Sequence, residues 1–421
     1  MKRFLFISYV FPPSGGAGVQ RGVKLVKYIG AHGWEPVVVT PDRPSVPVLD
    51  PSLGQDLPAG LKVERIASWE PALGNAAGGK AGAGPVASGA RDMLKGLASS
   101  LLFPDRHVLW LPTALAALGR VLKRWQPRVI LVSGPPFSSF LLGRAAARLS
   151  GRPLVLDFRD EWSGFYARGH QPGGQGRLWG AAVGALEGSL VRASARITCA
   201  SPDYGARFQV LYGGDPDKYL WIPNGYDPDD FPAAPPAPLP ASPLRLVYTG
   251  TVMGVTSLRP LWAALARLSE EQRRGLVVEV AGRVAECESI QPGLPGLRVI
   301  SHGYLEHRAS LDRLLSSHAL LLTLSPGPGA ERVLPGKLYE YLAARRPILG
   351  ILPRGRAAAL VEACQAGVVA DPDRPQKAAE IIARWLQDPP PPLPPPPRLF
   401  DRRQAAASFA RALEEAERAR P

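Results

Sequence analysis

Apolar residues along the 421-residue chain collect in short β-branched runs, separated by stretches where they recur every three or four positions. In the first half the runs are Phe4–Tyr9, Pro36–Thr40, Val63–Ile66, Val129–Val132, Leu154–Phe158 and Arg196–Ala200. Helical periodicity marks Val19–His32, Pro112–Trp125, Ser138–Leu149 and Leu178–Ala193. Nearly continuous apolar strands that alternate with helices of about 10–15 residues predict parallel βαβ units with helices on both sheet faces.

The alternation breaks at the proline-rich stretch Phe231–Pro243 and then restarts with Leu244–Tyr248, Leu276–Ala281, Leu297–His302, Ala319–Leu324, Pro347–Ile351 and Gly367–Ala370. Proline-rich chain lacks backbone donors and prefers extended geometry, which suits a semi-rigid linker. The expected organisation is an N-terminal Rossmann-like domain over 1–231, a linker over 232–243 and a second Rossmann-like domain over 244–400. Pro389–Pro397 is an extended spacer before a final helix, Arg402–Arg420, which is expected to return and complete the first domain over 402–421. A proline ligand for a signalling module is the other use of that spacer. Leu73–Ala90, rich in glycine and alanine, is expected to be a mobile loop.

Composition narrows the class. With 46% hydrophobic and 20% charged residues the chain reads as a globular protein, large enough to need no staples. Its three cysteines, Cys199, Cys287 and Cys364, are odd in number and widely spaced. They read as free thiols, which excludes a disulfide or zinc framework. No spanning helix is expected, because no long apolar run occurs. The apolar start after Lys2-Arg3 is too short for a signal peptide and runs into Pro12-Pro13, so it is read as a first buried strand and the protein as cytoplasmic. Net charge is +14, from 40 arginines and 10 lysines. Such a protein is drawn to nucleotides, anionic lipid or nucleic acid. Nucleic acid is the weakest of these, since no recognition-helix or RNA-binding aromatic pattern accompanies the charge.

Three stretches offer chemistry. Phe11–Arg21 holds a glycine-rich turn ahead of a helix, where open N–H groups and the helix dipole favour an anion near Gly16, Gly18 and Arg21. A plain flexible turn is the alternative. A dinucleotide fingerprint is excluded by the late glycines and by Arg21 at the third glycine position, and with it a nicotinamide oxidoreductase. Asp157-Phe158-Arg159-Asp160-Glu161 packs charge at a strand's carboxyl end, where open α/β sheets bind ligands, or else forms a salt-bridge cluster. Ser325–Leu342 leads through a glycine-rich loop into a helix expected to begin near Pro335. On that helix Lys337 and Glu340 share a face, one suited to a diphosphate and the other to ribose hydroxyls; an ordinary i,i+3 ion pair is the alternative. The three Asp-Pro-Asp tripeptides (Asp215–Asp217, Asp227–Asp229, Asp371–Asp373) read as turns rather than metal ligands, and no histidine has ligand spacing. No metal and no cofactor is therefore expected.

Together these residues resemble bacterial glycosyltransferase family 4. The resemblance rests on Ile7-Ser8-Tyr9, Pro12-Pro13, Gly15-Gly16 and Arg21, then Phe103-Pro104-Asp105-Arg106 with Trp110, Ser133-Gly134-Pro135-Pro136 and Asp157-Phe158-Arg159-Asp160. It continues through Ile222–Asp227, Tyr248-Thr249-Gly250 and Lys337–Leu342, in order along nearly the whole chain. It implies an α/β GT-B fold of two facing Rossmann-like domains with parallel sheets, the C-terminal helix crossing back. It also implies retaining, metal-independent transfer from a nucleoside-diphosphate sugar, the substrate in place of any cofactor. By residue it implies donor contacts at Gly16, Gly18, Gly250, Arg259, Glu331, Gly336, Lys337 and Glu340, with Glu340 on the ribose. Asp160 and Arg159 are the catalytic candidates, and Arg21, Asp157 and Arg106 lie on the acceptor side.

The sequence departs from the family at several points. Eight positions before Glu340 stands Arg332, so Glu331 takes the second glutamate's role or the sugar is held differently. The common His-Asp pair is Arg159-Asp160, and the arginine–lysine pair after Gly250 is replaced by Thr251 and a displaced Arg259. The expected function is hexosyl transfer to a lipid-linked or saccharide acceptor of envelope polysaccharide or glycolipid synthesis. Arg144, Arg148 and Arg152, spaced by four, suggest peripheral contact with anionic membrane at its inner face. A nucleotide-sugar 2-epimerase of the same fold and a non-catalytic nucleotide-sugar-binding protein are the alternatives.

Overall fold

Successive residues of the first strand are apolar on both sides, and the structure uses both. Phe4 and Phe6 enter one core and Leu5 and Ile7 another, all fully buried. A strand buried on two faces has to lie inside a sheet covered by helices. In the computed structural model, which describes residues 1–70, 102–166 and 177–419 apart from 235, 238 and 241, that arrangement occurs twice. One unit is Met1–Pro223 with the segment from Arg403 onward; the other is Asn224–Arg402.

In the first unit β1 (Lys2–Ser8), α1 (Ala17–Ile29), β2 (Trp34–Pro41), β3 (Lys62–Ile66), α2 (Leu111–Trp125), β4 (Val129–Gly134) and α3 (Ser138–Ser150) run in chain order. Then follow β5 (Leu154–Phe158), α4 (Arg177–Ala193), β6 (Arg196–Cys199), α5 (Pro202–Tyr212) and β7 (Tyr219–Trp221). The strands pair in parallel in the order β3-β2-β1-β4-β5-β6-β7. The predicted strands and helices are present with ends shifted by a residue or two. Missing from the prediction are α5, opened by Pro202, and the three-residue β7, too short to show a period. The predicted loop Leu73–Ala90 lies outside the described residues.

The second unit repeats the plan. It holds β8 (Leu244–Thr249), α6 (Arg259–Leu265), α7 (Glu270–Arg274), β9 (Leu276–Ala281), β10 (Arg298–Gly303), α8 (His307–Leu315) and β11 (Ala319–Thr323). After them come α9 (Lys337–Ala344), β12 (Ile348–Ile351), α10 (Arg356–Ala363), β13 (Gly367–Ala370) and α11 (Pro375–Gln387). Its parallel sheet has the order β10-β9-β8-β11-β12-β13. Both sheets therefore start at a central strand, grow one way and then reverse. Ligands of such sheets bind beyond the strands' carboxyl ends at the reversal, which falls between β1 and β4 and between β8 and β11. The stretch 232–243 is tied into this second unit: Ala237 O accepts from Arg346 (2.9 Å) and Pro240 O from the His318 ring (2.8 Å).

The final helix, α12 (Arg402–Arg418), packs on the first unit as expected. Phe409, Ala410, Leu413 and Ala416 join Phe4, Phe6, Leu25, Val26 and Trp34 in one core. Glu417 pairs with Lys2 (2.8 Å) and Arg128 (2.9 Å), and Glu415 with Arg196 (3.2 Å). Helix α3 differs from the expected basic face. Arg144 is half-buried and donates to Ser189 O (3.0 Å) and Oγ (2.6 Å), fastening α3 to α4, so it does not stand with Arg148 on a free surface.

At the carboxyl end of β5 lies the most buried charge pair of the first unit. Asp157 and Arg21 are 2% and 3% exposed, with 2.7 Å between Oδ1 and Nη2. Ser133 and Thr198 hydroxyls also donate to Asp157 (2.8 and 2.7 Å), and Arg21 donates to Pro223 O (3.1 Å) while lying over the Phe409 ring. Burial works to raise the Asp157 carboxyl, but the Arg21 charge and the hydrogen bonds outweigh it and hold it below the usual range. Breaking such a pair leaves an uncompensated charge in the interior. Asp157→Ala and Arg21→Ala are each expected to lower unfolding free energy by about 3–5 kcal/mol, measured by urea denaturation. A loss below about 1 kcal/mol, the range of surface pairs, would contradict a supporting role.

Candidate functional site

The reversal in the second sheet is where its polar chemistry gathers. Beyond β8, Gly250 adopts φ +113°, a backbone conformation that side chains rarely take, and its N–H donates to Ala281 O (2.8 Å). A Cβ there would lie 2.9 Å from Lys337 Nζ. Beyond β9, Gly282 approaches the same turn so closely that a Cβ would lie 2.0 Å from Gly250 O. The segment after β11 joins them: Ser325 N donates to Val255 O (2.9 Å) and its Oγ to Gly254 O (2.6 Å).

Lys337 opens α9. The helix begins there, two residues later than expected, because Gly336 is its cap and Pro335 precedes the cap. Its Nζ is buried 3.8 Å from the centroid of the Tyr248 ring and has no hydrogen-bond partner among the described residues. Burial drives its pKa down to about 7, with Glu340 opposing that shift. The i,i+3 ion-pair alternative is set aside: half-buried Glu340 faces His307 instead (4.0 Å to Nδ1), whose Nε2 lies 3.2 Å from Asp230. Tyr341, one residue on, accepts from Thr249 N (2.9 Å) and so pins α9 to the end of β8. The cluster thus offers a buried amine at a helix start, an aromatic face beneath it and a carboxylate one turn along. That is an anion site next to a hydroxyl acceptor.

The profile of the glycosyl transferase 4-like domain matches residues 15–225, half of the chain. The chain belongs to this family. No curated protein matches it in sequence. Among solved structures it is similar to Anabaena HepE in complex with UDP and glucose (15% identity, 99% and 98% of the two chains, TM-score 0.60). It is likewise similar to a sucrose-phosphate synthase from Thermosynechococcus elongatus (15%, 99% and 96%, 0.60) and to WaaG, a glycosyltransferase involved in lipopolysaccharide biosynthesis (15%, 98% and 98%, 0.57). With both sheets in the same reversing order, the fold of this glycosyltransferase is GT-B.

The remaining candidates distribute as follows. In the second unit Arg259 opens α6 and is held by Cys287 O (2.8 Å) and Glu288 (3.6 Å). Glu331 is exposed on a one-turn helix and pairs with its neighbour Arg332. Gly336 caps α9 with open space where a side chain would be. In the first unit Gly16 caps α1 at φ +92°. Arg159 is engaged by the carbonyls of Gly18, Gly134 and Pro135, beside half-buried Asp160. Its guanidinium braces the turns after β1 and β4. Arg21 and Asp157 are buried and paired with each other, away from solvent. Arg106 is exposed, 3.4 Å from both Ser45 O and the His107 ring. The Asp-Pro-Asp tripeptides are turns, as read: Asp215, Asp227 and Asp371 each accept from the N–H two residues on (3.0, 3.0 and 2.9 Å). Sequence reasoning passed over the ring of Tyr248, though it had noted Tyr248-Thr249-Gly250, and passed over Tyr341 and His307, which no spacing rule links to Lys337.

Lys337 is protonated up to about 10.5 in an unfolded chain and only to about 7 here. The unfolded state therefore binds more protons between these values, and stability rises with pH across that window. Lys337→Met should melt higher than the parent at pH 6, with the gap closing toward pH 10. A difference in melting temperature constant over that range would exclude the shifted amine.

Proposed function

We infer that this glycosyltransferase moves a hexose-type sugar from a nucleoside-diphosphate donor to an acceptor hydroxyl, with retention at the anomeric carbon and without a metal ion. The observation that carries the reading is Lys337, a buried amine without an ion-pair partner in contact, at the start of a helix and at the sheet's reversal. When the anomeric C–O bond breaks, negative charge grows on the departing diphosphate and positive charge on the sugar ring. A fixed cation and helix N–H groups stabilise the former before the reaction starts. Glu340 accepts from the ribose hydroxyls. Gly250 and Gly336 let the backbone approach the phosphates, with Arg259 and Glu331 at the margin toward the sugar. Gly16 and Gly18 present the first unit's turn.

For retention the acceptor hydroxyl attacks the face that the diphosphate leaves. Its proton passes to the departing phosphate oxygen, so no strong side-chain base is required. Asp160 orients the acceptor or shields the ring cation, while Arg159, Arg21 and Asp157 keep the strand ends in place. Metal independence is proposed on Lys337, a buried amine that supplies the positive charge at the helix start. HepE, solved with UDP-glucose, makes UDP-glucose the first donor to test. The kinship with WaaG makes an envelope glycolipid or polysaccharide the first acceptor class. Peripheral contact with anionic membrane is proposed through exposed Arg148 and the adjoining Leu149, 67% exposed; no helix among the described residues is long and apolar enough to cross a membrane.

Titration calorimetry with UDP checks the assignment. Lys337→Ala and Glu340→Gln should each weaken binding about tenfold or more, the value of a hydrogen bond to a charged group. Unchanged affinity in both would remove the site. Rapid conversion of the donor sugar without acceptor would favour the 2-epimerase, and activity lost to chelator but restored by magnesium would end the metal-free mechanism.

A further inference from the structure

A second polar cluster sits in the first unit beyond the carboxyl ends of β1 and β3. Tyr9 follows β1, Glu70 lies four residues after β3, and His107 is in the turn Arg106–Trp110 that precedes α2. The Glu70 carboxylate, 3% exposed, accepts from Tyr9 Oη, from Ser68 Oγ (2.9 Å) and from His107 Nδ1 (2.7 Å). Burial works to raise this carboxyl, but the bonds and charge from His107, and then the Tyr9 and Ser68 hydroxyls, hold it low. An ionised Glu70 fixes the imidazole with Nδ1–H toward the carboxylate and Nε2 on the opposite side. The Tyr9 ring, 4.3 Å away between centroids, and the Trp110 ring against Tyr9 hold the group in place.

At Nε2 stands Arg106, exposed and at a loose 3.4 Å from both the imidazole and Ser45 O. The imidazole itself is 15% exposed. Two basic groups therefore converge at the surface, one rigid and oriented, the other free to swing. Immediately before Glu70, Trp69 is 68% exposed, the most exposed aromatic ring among the large apolar side chains at the described surface. An open indole one residue from the carboxylate that orients the imidazole can stack on the apolar face of a sugar ring.

The geometry points to a binding site for a phosphorylated saccharide: Arg106 and the protonated His107 Nε2–H grip the phosphate while Trp69 stacks on the ring. In the free protein Arg106 Nε lies 3.4 Å from Nε2. On binding, Arg106 and the Nε2–H turn to the phosphate oxygens, while Glu70 holds Nδ1–H from the other side. The groups that face His107 are Tyr9 from β1, Glu70 from the segment after β3, and Asp105 and Arg106 from its own turn, where Asp105 accepts from the His107 backbone N–H. The role in transfer, as the seat of the acceptor, rests on the proposed function; the site itself does not.

The test is NMR of the imidazole in the full chain, with the His107 signal assigned by its loss in His107→Gln. Added inorganic phosphate should move the His107 ring signals saturably, while sodium chloride at equal ionic strength should not. Arg106→Ala should weaken phosphate binding about tenfold. Glucose 6-phosphate should bind tighter than inorganic phosphate, and Trp69→Ala should erase that advantage, roughly fivefold, without changing phosphate binding. Glucuronate and glucose separate the sources: a preference for glucuronate over glucose 6-phosphate would overturn the phosphate assignment. An imidazole blind to phosphate, or one that responds equally to chloride, would overturn the site, whatever UDP does at Lys337. A Trp69→Ala variant with the sugar advantage intact would overturn the stacking role.

Discussion

The first unit is organised around the buried pairing of Asp157 with Arg21. Its partners come from two strands, a loop and the last helix: Ser133 on β4, Thr198 on β6, the Pro223 carbonyl and the Phe409 ring of α12. In a low-dielectric interior an ionised carboxylate is tolerated only when nearly every lone pair is met. That requirement couples the positions of α1, the strand ends and the returning C-terminal helix. Arg159 then braces the adjacent turns through three carbonyls, and the functional edge of the sheet becomes a rigid one.

The second unit handles its buried cation in the opposite way. Lys337 lies against the Tyr248 ring, with Glu340 nearby but turned toward His307. A cation left without a contacting counter-ion costs stability in the free protein and shifts toward its neutral form. The same arrangement is favourable for a ligand that brings its own negative charge, because the site need not break a salt bridge to receive it. Arg21 is neutralised and structural; Lys337 is held in reserve. Burial alone would not have separated these two roles, whereas the partners do.

The remaining basic groups follow the same reasoning. A +14 chain has many arginines whose purpose composition cannot assign. The structure sorts them by what they touch: Arg144 fastens two helices, Arg159 satisfies carbonyls, and Arg259 is held by Cys287 and Glu288. Arg106 meets only acceptors at 3.4 Å beside an oriented imidazole, which is why the anion site proposed for the first unit is placed on it and His107 rather than on Arg21.

Strand identity, the parallel sheets, the repeated α/β plan and the return of the last helix were all legible in the sequence, because each depends on hydrophobic periodicity, which is local. Lys337 and Glu340 were singled out by their spacing at a helix start, and Gly250 by the family resemblance; the structure places all three at the end of β8 and the start of α9. What only the tertiary structure decided was which charged groups meet. Asp157 finds an arginine 136 positions earlier, and Lys337 finds an aromatic ring 89 positions before it, while Glu70 and His107 join across 37. Contacts of that kind leave no period in the chain. They are set by the packing of elements onto a common sheet edge, and desolvation there gives each pairing its sign.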